Sequence, residues 1–511
     1  MDAGNKRIAR NTFYLYVRMI FVLLITLYTS RVVLNMLGVV DYGIYNVIAG
    51  FVSMFSFLNT SLTGAIQRFY NYEGAQRGDQ GRQEVFETSF YIQVVLSLIV
   101  VLALETFGLW YINNVMVIPP ERLQTGVLLF HFSVISLVVV MMQVPYSSAI
   151  MSFERFDFYA LVGIIDVLLK LVIVLILPST DVDKLPAYGF LLLLITIIDF
   201  ILYFVYAIIN FKELKFKRFF NKGLFKSMMV FSGWNFFGTF TNIFYTQGVS
   251  LVLNFFYGPI LNAARGVAHQ VMSALHGFSL NIVTAFRPQL VESYAEGNYK
   301  KTKDVMFNEA KFSYLMVLLL IIPLVLEIRY ILAIWLGREA VPEYTEEFTV
   351  LILLNMLMSS CNAPFTQVTH ATGKMKNFHL ITGLITSLNV PFSYISLKMG
   401  AAPTSVFIIA IILTVVSQFA CMLVVRTYFA YGIMNYIKRV ITPCAFVTLV
   451  APLLPLVIRM TMDESFIRLL LVFIISVLTT VCCAYYMALN RNDRVLVKTK
   501  VLAIVKKYNG R

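Results

Sequence analysis

Basic side chains recur on one face of a predicted helix in the middle of the chain. Arg265, His269, Met272, His276 and Ser279 follow the spacing i, i+4, i+7, i+11, i+14. At 100° per residue these positions fall within about 80° of arc. A guanidinium and two imidazoles on one face of an apolar helix could bind an anion in a water-filled cavity, because such groups should not face lipid. The same face could instead only join neighbouring helices by hydrogen bonds. We favour the cavity.

Two further predicted helices contribute uncharged polar faces to such a cavity. Asn46 lies on the second apolar run, at a position that matches Arg265 in the duplication described below. Asn235, Thr239 and Asn242 recur at helical spacing on the seventh run. These side chains are candidate substrate-binding residues together with Arg265, His269 and His276.

The first apolar run contains two arginines. Arg18 and Arg31 lie 13 residues apart, which is roughly 20 Å along a helix, and they point in different directions. They could hold an anion at two depths of a cavity, and both are therefore candidate binding residues. They could also extend their charged ends to the membrane surface.

Three ionisable residues lie in the fifth and sixth apolar runs. Asp166 and Lys170 are spaced i, i+4 on one face, and Asp199 lies at a similar depth without a partner in its own helix. Two acids and one base could exchange a proton, which makes them candidates for coupling transport to a proton or sodium gradient. Alternatively, Asp166 and Lys170 neutralise each other, and Asp199 forms a hydrogen bond that joins helices five and six. The pattern favours this structural role.

The composition requires a membrane protein built from helices. Of 511 residues 59% are hydrophobic and 13% charged, and apolar runs of about 20 residues recur, each long enough to cross a hydrocarbon core of roughly 30 Å. Lipid cannot satisfy backbone polar groups, and the runs are too long for barrel strands. The five cysteines show no metal-ligand spacing, so we expect no metal site. Fourteen spans are predicted: 13–36, 42–66, 88–112, 124–150, 159–178, 187–210, 225–247, 260–287, 308–333, 348–371, 378–397, 404–426, 437–458 and 466–489.

A constant shift relates two parts of the chain. Arg68, Glu73 and Gly78 recur as Arg287, Glu292 and Gly297, each displaced by 219 positions, and the same shift carries 145–147 (PYS) onto 364–366 (PFT). Self-similarity at a fixed shift indicates a duplicated fold. We predict a six-helix lobe over 1–210, a basic cytoplasmic linker at 211–226, a second six-helix lobe over 227–427, two additional spans within 437–489 and a basic cytoplasmic tail at 490–511.

The distribution of basic residues sets the orientation. With a cytoplasmic N-terminus, most lysines and arginines fall in cytoplasmic segments, and the outer loops hold only Arg122, Lys184, Arg338, Lys398 and Arg459. This bias satisfies the positive-inside rule and places both termini in the cytoplasm. It also explains the net charge of +14, so that a nucleic-acid partner is not expected. Six spans per lobe is an even number, so both lobes insert the same way up, as in parallel-repeat transporters with a central site.

The residues at 37–45 (LGVVDYGIY) and 64–68 (GAIQR) resemble the polysaccharide exporters of the multidrug/oligosaccharidyl-lipid/polysaccharide (MOP) flippase superfamily, with O-antigen and capsule repeat-unit flippases the most similar. The resemblance implies a MATE-like fold and a flippase of the bacterial inner membrane. Such a flippase is expected to move undecaprenyl-diphosphate-linked oligosaccharide to the outer leaflet by alternating access and to require no cofactor. The resemblance also implies that Arg18 and Arg265 line a cationic cavity. The candidate partners are membrane lipids, a polysaccharide polymerase and the chain-length machinery.

Two other functions are weighed against this one. An ion-coupled multidrug antiporter of the same fold would be favoured by an acidic cavity, but the first span carries no carboxylate. A membrane glycan polymerase or ligase needs catalytic groups on a large outer loop, which the predicted topology lacks. Phosphate-loop and hydrolase motifs are also missing from the sequence. We therefore expect a transporter and not an enzyme.

Overall fold

The computed structural model describes residues 3–211, 214, 221–372, 374–489 and 494. Side chains are described in these ranges except at 3–17, 20, 234, 235, 237 and several positions between 278 and 295. Most of the predicted linker at 211–226 and nearly all of the predicted tail at 490–511 lie outside the described residues.

The described secondary structure is entirely helical, which confirms the predicted all-α class. Short 3₁₀ and π turns interrupt the helices. The α-helices are α1 (Ala3–Ser53), α2 (Phe57–Ala103), α3 (Leu109–Asn114), α4 (Leu123–Ser152), α5 (Phe156–Ile176), α6 (Lys184–Asn210), α7 (Lys222–Tyr257), α8 (Pro259–Ala295), α9 (Tyr299–Leu336), α10 (Thr345–Ser359), α11 (Ala363–Thr372), α12 (Met375–Ser387), α13 (Asn389–Lys398), α14 (Ser405–Arg426), α15 (Ile433–Tyr436), α16 (Thr442–Val450), α17 (Leu453–Thr461) and α18 (Phe466–Cys483).

Long apolar helices make this a multi-pass membrane protein. Among the described residues, 10 helical stretches are long and apolar enough to cross a membrane. The first, Phe21–Asn114, covers the second and third predicted spans and most of the first, and its helix is interrupted at Gly38 and Gly78, where the backbone leaves the helical region. The predicted spans seven and eight coincide with α7 and α8, which are 36 and 37 residues long.

The packing forms two compact units. One comprises Met1–Gln270, Leu336–Thr345 and Thr386–Val406. Its core has two apolar clusters, one around Ile66 and Phe86 and the other around Ile48 and Phe130. The second unit comprises Val271–Trp335, Glu346–Ile385 and Phe407–Arg511, and its core surrounds residues such as Phe365 and Tyr436. Residues 227–270 thus pack with α1–α6, whereas the predicted lobe boundary lies at 211–226. That boundary describes a sequence duplication and stays a prediction.

Two glycines related by the shift of 219 positions adopt the same unusual backbone region. Gly78 has φ 60° between the second and third spans, and Gly297 has φ 72° between α8 and α9. Residues with a side chain rarely adopt positive φ, so glycine permits a sharp reversal at both places. The agreement in conformation accords with the predicted duplication.

The turn between α7 and α8 is held against α1 in the first unit. Gly258 adopts a φ of 71°, and Pro259 begins α8. Proline is well suited to this position, because the first N–H group of a helix has no acceptor within the helix. A Cβ on Gly43 of α1 would lie 2.0 Å from the carbonyl oxygen of Pro259, so the two backbones touch. The Asn254 side chain accepts from the Val117 N–H at 2.8 Å and donates to its carbonyl at 3.1 Å. These contacts fix where α8 begins, and with it the position of the residues one to three turns later.

Candidate functional site

A cavity of ≈ 480 Å³ lies within the first unit, and we call it the basic chamber. Residues of α1, α7 and α8 line it. Among the described side chains, its only basic groups are the Arg265 guanidinium and the His269 imidazole, and none in the lining is acidic. The other lining residues that matter below are Tyr45, Asn46, Ser250, Asn262, Gly266 and Gln270.

Arg265 is bound only by neutral groups. Its guanidinium donates to the Ser250 hydroxyl and to the Thr246 carbonyl, both on α7. Its Nε is buried without a hydrogen-bond partner, and the residue is 7% exposed. No carboxylate lies at ion-pair distance from it in the part of the chain that the structure describes. A buried cation without a counter-charge is costly, so the basic chamber is suited to an anion.

His269 lies one turn beyond Arg265 and lines the same chamber. The predicted spacing on α8 thus brings these two side chains together. His276 is exposed, in the stretch of α8 that belongs to the second unit.

A second cavity of ≈ 350 Å³ also lies in the first unit, and we call it the tyrosine chamber. Asp166 and Lys170 of α5 line it as an ion pair, with Nζ and Oδ1 2.7 Å apart and 42% of the lysine and 23% of the aspartate side chain exposed. Asp199 of α6 interacts electrostatically with both, and its Oδ1 is buried without a hydrogen-bond partner. The structure therefore brings together all three residues predicted for ion coupling.

Tyr45, Asn46 and Gln270 line both chambers. Asn46 donates to the Tyr42 carbonyl at 2.7 Å, and it packs on Gly266, where a Cβ would lie 2.7 Å from its Oδ1. Gln270 donates to the Tyr42 hydroxyl at 3.1 Å, whereas its Oε1 is buried and accepts no hydrogen bond from a described residue. The division between the chambers thus consists of neutral amide and phenol groups.

The two arginines of α1 lie elsewhere. The Arg18 guanidinium lies 4.7 Å from the centre of the Tyr159 ring on α5, and a Cβ on Gly163 would lie 2.2 Å from its Nε. Arg31 is exposed. Neither belongs to the lining of the two chambers, and a role for either in substrate binding stays a prediction.

The three polar residues predicted on α7 are also separate from the chamber linings. Thr239 accepts a hydrogen bond from Ser61 at 3.3 Å, so it joins α7 to α2, and Asn242 is exposed. The side chain of Asn235 lies outside the described residues. None of the three lines either chamber among the side chains that are described.

Several lining residues were missed by sequence reasoning. Ser250 lies two turns beyond the predicted polar positions of α7, Gln270 follows His269 directly, and Tyr188 lies at the start of α6. Only the polarity of Gln270, next to a face already singled out, was a usable signal. Across the described residues, no group of three or more His, Cys, Asp or Glu side chains could hold a metal ion.

Comparisons with known proteins accord with this architecture. Comparison with curated protein sequences finds no match. Among solved structures, the lipid II flippase MurJ in an inward closed conformation matches with a TM-score of 0.72 and 14% identity, covering 93% of this chain and 98% of that one. An inward-facing multidrug resistance MATE family transporter of the MOP superfamily matches with a TM-score of 0.57 and 13% identity, covering 82% and 94%. At these identities the likeness concerns the fold.

Two family models match the sequence itself. The MatE model matches residues 236–395. The model described as polysaccharide biosynthesis protein matches residues 8–294, which is more than half of the chain and contains both chambers. The chain therefore belongs to the polysaccharide biosynthesis protein family.

Proposed function

We propose that this protein is a flippase for undecaprenyl-diphosphate-linked oligosaccharides, the repeat units of O-antigen, capsule or exopolysaccharide. It would move them from the cytoplasmic to the outer leaflet of the bacterial inner membrane by alternating access, with both termini in the cytoplasm. The observation that carries the proposal is the buried Arg265 guanidinium, which faces the basic chamber without a carboxylate partner.

A diphosphate is the chemical group that such a chamber suits. Guanidinium groups bind phosphate oxygens through charge-assisted hydrogen bonds, and these strengthen where water is excluded. The Arg265 guanidinium lines the chamber, His269 lies beside it, and Asn262 and Ser250 add polar groups. The prenyl chain can stay in the lipid while the headgroup occupies the chamber.

Coupling to an ion gradient remains part of the proposal. Asp166, Lys170 and Asp199 form a group of two acids and one base in the first unit. Two neighbouring carboxyl groups resist being charged together, so a proton or a sodium ion is the kind of driver that this group can bind and release. A polysaccharide polymerase and chain-length machinery are the partners proposed for the exported product.

An ion-coupled multidrug antiporter is the second candidate, because the MatE model matches residues 236–395. Cationic drugs need an acidic site. The Arg265 guanidinium, in a lining without a described acidic side chain, repels them. We therefore place the flippase first.

The experiment is a comparison of two arginine variants in cells that lack the chromosomal gene. Arg265→Ala should reduce surface glycan by about 100-fold and cause lipid-linked glycan to accumulate on the inner leaflet, measured by lipid extraction and mass spectrometry. Arg459→Ala removes the same charge from an exposed position of α17 and should leave export unchanged. Arg265→Ala protein that is present at normal levels and exports normally would contradict the proposal.

A further inference from the structure

The lining of the tyrosine chamber is balanced in charge. The Asp166–Lys170 pair, at 2.7 Å, cancels its own charge inside the lining. Asp199 is not among the lining residues. A ligand in this chamber therefore meets a lining that is polar but balanced, which suits a neutral polar molecule better than a second anion.

Hydroxyl groups supply most of the remaining polarity. Thr29 and Ser30 of α1 line the chamber and donate to carbonyls of their own helix at 3.1 and 3.0 Å. Their oxygens can thus still accept hydrogen bonds. Lys170 has ammonium protons beyond the one that Asp166 accepts. The lining offers both donors and acceptors, which is what a polyol needs.

Aromatic rings form another part of the lining. Tyr45 and Tyr188 meet edge to face, with ring centres 5.3 Å apart, and Tyr42 lies 6.4 Å from Tyr45. Aromatic walls with a few placed polar groups are typical of small-molecule sites, and ≈ 350 Å³ lies at the small end of their range. This volume and this lining fit the flat apolar face and the hydroxyl edge of a sugar ring.

Gln270 connects the two chambers. Its Oε1 is a buried acceptor without a described donor, at a residue that lines both. An unsatisfied buried acceptor costs free energy that a ligand hydroxyl or amide N–H would recover. A donor is therefore expected at the junction, where the first sugar follows the phosphate.

We infer that the tyrosine chamber is a sugar subsite, which holds the carbohydrate next to the diphosphate while the diphosphate occupies the basic chamber. The inference rests on the proposed function, since it assigns the two parts of one headgroup to two adjoining chambers. Arg265 then serves every substrate with a diphosphate, and the tyrosine chamber recognises what is attached to it.

The experiment compares two lipids on the purified protein by native mass spectrometry. The probes are undecaprenyl diphosphate and undecaprenyl diphosphate carrying a single N-acetylglucosamine. We expect wild-type protein to bind the sugar-bearing lipid about 10-fold more tightly, which corresponds to about 1.4 kcal/mol. Tyr188→Leu should reduce this preference to less than twofold and leave binding of the bare lipid unchanged. The charge-neutral double variant Asp166→Asn/Lys170→Gln should reduce the preference in the same way.

Two controls make the outcomes distinguishable. Arg155→Gln/Asp157→Asn removes another ion pair at the start of α5, where both side chains are 43% exposed, and should keep the full preference. Arg265→Ala should weaken both lipids equally. Unchanged binding in Arg265→Ala would overturn the proposed function, whereas an unchanged sugar preference in the tyrosine-chamber variants would overturn only the subsite.

A milder variant guards against loss of folding. Thr26 lines the tyrosine chamber from α1 and is exposed, and Thr26→Val replaces its hydroxyl with a methyl group of nearly the same shape. The sugar preference should fall by about threefold while the melting temperature stays at the wild-type value. A preference that remains at about 10-fold in Thr26→Val and in every folded variant of the chamber would overturn the inference.

Discussion

The basic chamber and the tyrosine chamber share Tyr45, Asn46 and Gln270, but they differ in whether the charge of their basic residue is neutralised. In the tyrosine chamber a lysine and an aspartate from the same helix neutralise each other at 2.7 Å. In the basic chamber Arg265 is held by a hydroxyl and a carbonyl, which orient the guanidinium without cancelling its charge.

This difference shows how a protein keeps a buried charge available. Neutral acceptors satisfy some of the N–H groups of the guanidinium, so that it is ordered, but they leave its positive charge for a ligand. A carboxylate in the same place would order it equally well and abolish anion binding. The comparison therefore predicts that each chamber can be converted towards the other by changing one charge.

The largest effect is expected from placing an acid in the basic chamber. Ser250→Asp puts a carboxylate beside Arg265, in a position that is 5% exposed, and should form a buried ion pair. Transport should fall by about 100-fold, which corresponds to about 2.7 kcal/mol, measured as surface glycan in cells that lack the chromosomal gene. Ser250→Asn has the same size without the charge and should retain most activity. Equal activity of the two variants would show that the charge of Arg265 is not used.

The converse change unbalances the tyrosine chamber. Lys170→Met leaves the Asp166 carboxylate beside Asp199 without its cation. Because the lysine side chain is 42% exposed, the free energy of unfolding should fall by about 1 kcal/mol, which is less than the loss of a fully buried ion pair would cause. Thermal unfolding in lipid should show a lower melting temperature for Lys170→Met, and adding Asp166→Asn should restore much of the lost stability. A double variant no more stable than Lys170→Met alone would mean that the two charges do not interact.

A comparable effect is expected from shifting Asn46, which lies between the chambers. The Cβ introduced by Gly266→Ala would lie 2.7 Å from Asn46 Oδ1 and 2.8 Å from its Cγ, so that the amide must shift. Overpacking of this kind costs about 1–2 kcal/mol. The sugar preference and the affinity for the bare lipid should then both change, because Asn46 lines both chambers. Gly64→Ala is the control, since nothing lies within 4 Å of its Cβ, and it should have no such effect.

The helices were predictable from sequence because each span is set by local hydropathy. The joint placement of Arg265 and His269 was predictable because both lie on one helix with known periodicity. The residues that contact Arg18 could not be predicted, because a helical pattern does not show which helix a side chain packs against. Arg18 packs on Gly163 of α5, where a larger side chain would leave no space for it. Tyr188 and Ser250 enter the chambers from other helices, so that only tertiary packing brings them there.

The smallest effect lies outside both chambers, in the contact between α2 and the start of α7. Arg77 donates to the Glu84 carboxylate, and Asn221, which caps α7, donates to Glu84 Oε2 at 3.0 Å. The hydrogen bonds from Arg77 hold the pKa of Glu84 below its ordinary value. A lowered carboxyl pKa stabilises the fold above the pKa of the unfolded chain, and this stabilisation is lost as the pH falls.

Glu84→Gln should therefore lower the melting temperature at pH 7.5 by about 1–3 °C, and the difference from wild type should shrink as the pH falls below the unfolded-chain pKa of about 4.3. Arg77→Gln should reproduce the loss at neutral pH, and combining the two should add little, because they remove one interaction. The preference for the sugar-bearing lipid should stay unchanged in all three variants. If it changed, the binding chambers would be coupled to the contact between α2 and α7, and the contrast between them could no longer be assigned to their own charges alone.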